Sequence, residues 1–275
     1  MHSSDNTNTP NNTWGLFIVF ATCIFLSSHS YAMNAAEIMK ENDERYTGDT
    51  QISDSILTLV DVKGRERVRE LKLFSVDKPD VEKSLIFFQS PPDVAGTAYM
   101  SFDWEGTERE DDSWLYLPAL QSINRVAASE ESGKFMGSDF SYADINGLDY
   151  EDFNYTMENE SDLIDGIDCW VIKSTPKTKA VIKKTGYTES ISWIRKDNYI
   201  QIQAIIQVKK GKRVKYFSAK DIVEIQGIWT AQTLQMVTTR RGKKEHASVL
   251  KINNLRYNED VSEAMFDTQA MQRGL

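Results

Sequence analysis

Hydrophobic residues recur at every second position through much of the chain. Between Tyr199 and Val208, Ile200, Ile202, Ala204, Ile206 and Val208 alternate with Gln201, Gln203 and Gln207, the period of a strand with one packed and one wetted face. Lys209-Lys210-Gly211-Lys212 reads as a hairpin turn into a second strand over 213–225. Val62-Lys63-Gly64-Arg65 joins strands over 51–62 and 66–74 in the same way,. The same pattern predicts strands at 83–90, 97–103, 112–117, 150–157, 167–174, 189–196, 228–239 and 247–257. Helical spacing is sparse. It covers Asn34 to Arg45, a capping-box pattern at Asp260-x-x-Glu263 that predicts a short C-terminal helix, and short helices within 119–128 and 139–146,. Strands do not alternate with long amphipathic helices, which argues against a parallel α/β fold. The expected fold is mainly β: a single curved antiparallel sheet of about 11–12 strands with a few short helices against it. A sheet that wide curls, and its concave face must be filled.

Trp14 to Ser28 is the one strongly apolar run, and Ser30-Tyr31-Ala32 supplies small residues before a cut at Met33. It predicts a cleavable export signal over 1–32 and a single domain over 33–275. The polar start, Met1 to Thr13, lacks Lys and Arg, which keeps an uncleaved anchor open. Yet about 15 apolar residues are short for a span needing about 20. Setting 1–32 aside removes His2, His29 and Cys23 and leaves His246 and Cys169. One thiol makes no internal disulfide, and a Cys/His zinc site needs four ligands. No G-x-S-x-G elbow occurs,, and Lys243-Lys244-Glu245 puts His246 at an expected solvated turn. Asp144 to Asp149 resembles a calcium loop only superficially, because Gly147 falls at position four instead of six,. No catalytic residue, metal or cofactor is expected.

Phe87 to Asp144 departs from plain alternation. Pro91-Pro92 breaks a strand, Trp114-Leu115-Tyr116-Leu117-Pro118 ends another, and Lys134 to Tyr142 collects Phe135, Met136, Phe140 and Tyr142 in a Gly/Ser context,. Such residues either plug the end of the sheet as core or line and cover an apolar ligand cavity. Trp114, Leu115, Tyr116, Phe135, Met136, Phe140 and Tyr142 are the candidate cavity or lid residues, with Gly133 and Gly137 as candidate hinges.

Four linked motifs, SPPDVAGTAYMS, WLYLPAL..INRVA, SGKFMGSDFSYAD and SISWIRKDNY, resemble the outer-membrane lipoprotein-sorting proteins related to the periplasmic carrier LolA. The resemblance runs from about residue 37 to the C-terminus. It implies a LolA/LolB-like half-barrel covered by helices, with a hydrophobic cavity for the acyl chains of a lipid or lipoprotein. It also implies a periplasmic location and association with exporters of the resistance-nodulation-division (RND) superfamily. Asn124-Arg125 stands where members of this branch often carry two adjacent basic residues.

The net charge of −9 hides a polarity. Residues 103–168 carry 18 acidic and 3 basic groups, and 173–256 carry 19 basic and 5 acidic ones. Such blocks are either solvated faces or docking surfaces, the basic one for anionic lipid headgroups in a transient membrane contact or for an acidic partner. An acidic chain makes a poor phosphate-backbone binder, so nucleic acid is not an expected partner. Two further readings stay open: an exported hydrolase using a carboxylate pair, and an exporter adaptor whose apolar interior is merely core.

Overall fold

The computed structural model describes residues 1–2, 33–104 and 109–275; the expected signal segment lies outside the described residues. Among the described residues, alternation produces β1 (Thr50–Val60), β2 (Glu66–Lys78), β3 (Val81–Ser90), β4 (Ala98–Asp103), β5 (Asp112–Leu117), β6 (Ser122–Arg125), β7 (Phe153–Ile164), β8 (Ile167–Pro176), β9 (Tyr187–Arg195), β10 (Gln201–Val208), β11 (Arg213–Ile225), β12 (Ile228–Arg240) and β13 (Lys243–Tyr257). They form one 13-stranded antiparallel sheet in the order β6-β5-β4-β3-β2-β1-β13-β12-β11-β10-β9-β8-β7, mainly β and not closed into a barrel, with few short helices. Two meanders therefore meet at β1 and β13, and β6 and β7 are the free edges.

The helices are α1 (Ala35–Asp43), α2 (Tyr142–Asn146), α3 (Lys179–Thr185) and α4 (Thr268–Arg273). Asn34 caps α1: its side chain accepts from the Ala36 and Glu37 amides, and Glu37 accepts from the Asn34 amide, a reciprocal box that satisfies orphan donors. Two helical expectations are corrected. Residues 119–128 hold a 3-10 turn and the edge strand β6, because Pro118 opens only a single turn and Gln121 takes a left-handed φ of 49°. At the C-terminus Asp267, not Asp260, caps α4, and Glu263 lies in a separate 3-10 turn. The strand at Tyr199–Val208 is also not uniform. A register shift between Gln201 and Gln203 puts Ile200 and Ile202 in a cluster with Cys169 and Trp193, while Ala204 and Ile206 join the main core. One extra residue in a ladder flips the side chains beyond it.

Side-chain contacts show which face is concave. Leu57, Phe88 and Tyr99 from one meander share a buried cluster with Tyr187, Ala204 and Met236 from the other, so the sheet wraps around that core. On the opposite face Phe74, Leu85, Phe87 and Met100 pack against Phe266 and Met271 of the C-terminal segment.

Candidate functional site: the concave face

Because β6 and β7 are opposite edges, the chain between them, residues 126–152, crosses the concave face. Its aromatic groups point into the sheet. Phe135 is 2% exposed, with ring centroids 5.4 Å from Tyr99, 5.5 Å from Tyr142 and 5.9 Å from Phe88. The segment is a plug. Met136 and Gly137 both take left-handed φ values, 48° and 77°, which turn the chain back so that the Phe135 amide bonds the Phe140 carbonyl at 2.8 Å.

Between Phe135 and Asn146, polar side chains fasten the plug at four points. Arg69 on β2 donates to the Met136 carbonyl. Ser248 on β13 accepts from the Asp139 amide at 2.9 Å and donates to the Asp139 carboxylate at 2.8 Å. Tyr99 donates to Asn146 Oδ1 at 2.6 Å. At the fourth point, Lys215 Nζ on β11 lies 3.0 Å from Asp144 Oδ2, and Tyr187 OH on β9 lies 2.6 and 2.7 Å from the two Asp144 oxygens. Lys215 also donates to the Tyr187 oxygen at 2.7 Å. Both ionic side chains are about nine-tenths buried, and burial together with the Asp144 charge holds the Tyr187 phenol well above its ordinary pKa.

Beneath the plug the face is nearly full. A cavity of about 40 Å³ remains, lined by Leu57, Leu71, Ile86, Phe135, Phe140 and neighbouring residues. Beside it, between α1 and β7–β12, the same sheet leaves an open cleft of about 430 Å³. The sequence explains the contrast, because the lining positions Ser174, Ser190, Ser192 and Ala219 are small. Arg45, which also lines the cleft, donates to the Trp229 carbonyl at 2.9 Å. Its Nε is buried without a partner, and burial lowers the guanidinium pKa, with Tyr257 opposing.

Known proteins share this architecture. A crystal structure of a DUF1329-family protein from Desulfovibrio piger is 32% identical, with a TM-score of 0.77 over 86% of this chain and 97% of its own. The chain belongs to the DUF1329 family. A family model described as "Uncharacterized protein" matches residues 80–273. A domain described as that of an outer membrane lipoprotein-sorting protein, from Vibrio parahaemolyticus, is 27% identical, with a TM-score of 0.77 over 87% of this chain and 98% of its own. A LolA-superfamily protein of Nitrosomonas europaea, 17% identical with a TM-score of 0.64 over 87% of this chain and all of its own, shares the fold. No curated protein matches the sequence.

In this DUF1329-family chain the seven candidate residues divide between the two faces. Phe135 and Phe140 line the small cavity, and Leu115, Met136 and Tyr142 pack on the central core around it. Trp114 and Tyr116 pack on the opposite face, Trp114 edge-on to Phe102 at 5.2 Å, because neighbouring residues of β5 alternate faces. Of the two candidate hinges, Gly137 needs its left-handed φ, and a Cβ on Gly133 would lie 2.8 Å from the Glu130 carbonyl. His246 is half-buried with Nδ1 unpartnered, not solvated. Sequence reading missed Arg69, Asp139, Asp144, Tyr187, Lys215 and Ser248 as plug contacts, and the cleft serines. The available signal was polar residues at positions where alternation calls for apolar ones.

The rims of the curled sheet meet at a charged seam. Lys184 on α3 binds Asp111 at 2.9 Å and Asp149 at 3.0 Å, linking the β8–β9 connection to the chain just before β5. Asp103, Asp111 and Asp149 place carboxylate oxygens within 4.8 Å of one another. That is tighter than the roughly 5–9.5 Å between the carboxyl groups of sugar hydrolases, and Lys184 supplies the cation for two of the three. Burial, then the Asp111 charge, raises the Asp103 pKa. Burial alone would lower Lys184, but Asp149 and Asp111 outweigh it and raise it.

Glu131 is 2% exposed and its Oε2 has no partner. Burial pushes its carboxyl up to about 7, with Lys184 opposing and Asp111 and Asp149 adding to the rise. Between its ordinary value of 4.5 and about 7 the folded chain keeps a proton that the unfolded chain releases, so this group's contribution to stability is full below that window and falls as pH rises through it. Glu131→Gln is expected to remove that slope and raise stability at pH 8 by ~1–3 kcal/mol. Urea midpoints of the two proteins at pH 5 and pH 8 measure it; parallel pH dependence would contradict the assignment.

Proposed function

We propose that this chain is a periplasmic, non-catalytic carrier that takes one acyl chain of a lipid or lipoprotein into the cleft between α1 and β7–β12. The observation that carries this is the 430 Å³ cleft on the inward face of a LolA-like sheet, where Ser174, Ser190, Ser192 and Ala219 leave room between apolar walls that include Phe153, Phe217 and Leu234. The volume falls in the range of about 300–1,000 Å³ typical of small-molecule sites. The 40 Å³ cavity under the plug has room for about one or two waters and for no chain,. Each methylene transferred from water contributes ~0.8 kcal/mol, so binding needs area and shape and no reacting group. Arg45 is the one cation among the described residues that line the cleft, with Asp43 beside it, and its end is where a carboxylate or phosphate would sit. Export through a cleaved 1–32 segment, outer-membrane sorting and work with an RND-type exporter belong to the same proposal.

The nearly filled plug region favours one competing reading, an exporter adaptor whose interior is core. Titration with cis-parinaric acid, a fluorescent 18-carbon chain, separates them. The carrier is expected to saturate at one equivalent, and Ala219→Trp, which fills the cleft from β11, is expected to weaken binding at least tenfold without unfolding the protein. Lack of binding by the parent favours the adaptor.

A further inference from the structure

The structure turns the basic half of the sequence into a localised surface. Val60, Ala247, Val237, Tyr216 and Ile205 are successive partners across β1, β13, β12, β11 and β10. The turns just beyond that row therefore lie side by side at one end of the sheet. They carry Lys63, Arg65 and Arg67 on the β1–β2 hairpin, Arg240, Arg241, Lys243 and Lys244 on β12–β13, and Lys209, Lys210, Lys212 and Arg213 on β10–β11. Ten of these eleven are exposed and Arg213 is half-buried. Three acidic groups stand among them: Asp61, bonded to Arg65; Glu245, bonded to Arg213; and the exposed Glu66. The rim continues into α3, because the Lys209 amide bonds the Gly186 carbonyl at 2.9 Å, adding exposed Lys177, Lys179 and Lys183. At the tip of the first hairpin Val62 is 66% exposed.

We infer that this hairpin rim docks the protein on an anionic lipid bilayer. Like-charged side chains on adjacent strands repel each other, and the cost is offset when the rim faces a surface of opposite sign. The rim spans about five strand spacings, roughly 24 Å, and consists of flexible Lys and Arg at turn tips with no shaped recess. That suits mobile headgroups better than one fixed acidic protein face, and Val62 adds an apolar contact at the interface. The inference is independent of what the cleft carries.

The test is co-sedimentation of the full chain with vesicles of phosphatidylcholine containing phosphatidylglycerol, against pure phosphatidylcholine. Binding to the anionic vesicles alone is expected, and it should fall steeply when salt rises from about 50 to about 500 mM. Each basic residue near such a surface strengthens binding about fivefold. Reversing the six turn residues with Lys209→Glu, Lys210→Glu, Lys212→Glu, Arg241→Glu, Lys243→Glu and Lys244→Glu is therefore expected to weaken it more than a hundredfold. Reversing Lys220 and Lys251, exposed on β11 and β13 away from the turns, should change it by less than a factor of three. Equal binding to neutral vesicles, undiminished binding by the sixfold variant, or no binding at about 50 mM salt overturns the proposal, the last leaving the rim to an acidic protein partner.

Discussion

Lys215→Met is expected to destabilise the protein by ~3–5 kcal/mol, because it strands the Asp144 carboxylate in a buried site. Lys215 Nζ and the Tyr187 hydroxyl both bond Asp144, so removing the ammonium leaves a charge with one neutral donor from the sheet. The loss should concentrate at the plug. Limited proteolysis within 133–147 is expected to accelerate in the variant, since Asp144 is the contact that ties α2 to β9 and β11. Adding Asp144→Asn should recover much of the stability. The amide keeps an oxygen for the Ser141 amide, which now donates to Asp144 Oδ2 at 2.7 Å, and no longer buries a charge. Urea unfolding of the two singles and the double closes the cycle, and additive losses would show that the pair is not coupled.

Phe135→Ala is the second large change, expected to cost ~3–5 kcal/mol through lost burial and the space left behind. Three rings surround Phe135, and the site already borders the 40 Å³ cavity, so the void is expected to join that cavity. An apolar probe such as benzene should then raise the melting temperature of the variant and leave the parent unchanged. A loss below ~1 kcal/mol would mean that the plug rests lightly on the sheet.

Much of the sheet was legible because half-buried strands write their burial into alternate residues. β10 to β13 have long alternating runs and sharp Gly-containing turns, and their expected bounds lie within a few residues of those observed. β6 was not legible: Ser122–Arg125 is four residues long, flanked by a proline turn, and has no period to read. The register shift at Gln201–Gln203 was hidden for a related reason, since alternation in sequence continues where alternation in space does not.

The candidate site was legible only in part. The aromatic cluster at Phe135 to Tyr142 stood out by composition. Its fastening did not, because Asp144 meets Tyr187 and Lys215 across 43 and 71 residues of sequence. Trp114 and Tyr116 could be separated from Leu115 only once β5 had a face assigned. The cleft is the least visible feature, because it is made by what Ser174, Ser190, Ser192 and Ala219 do not fill.

The most direct test of the carrier reading is native mass spectrometry of the protein purified gently from the periplasm of an expressing cell. The expected spectrum shows a fraction of molecules bearing one lipid-sized adduct, released on collisional activation and absent from Ala219→Trp prepared in parallel. A bare mass in every preparation, unchanged after incubation with fatty acids and phospholipids, would contradict an acyl-chain carrier.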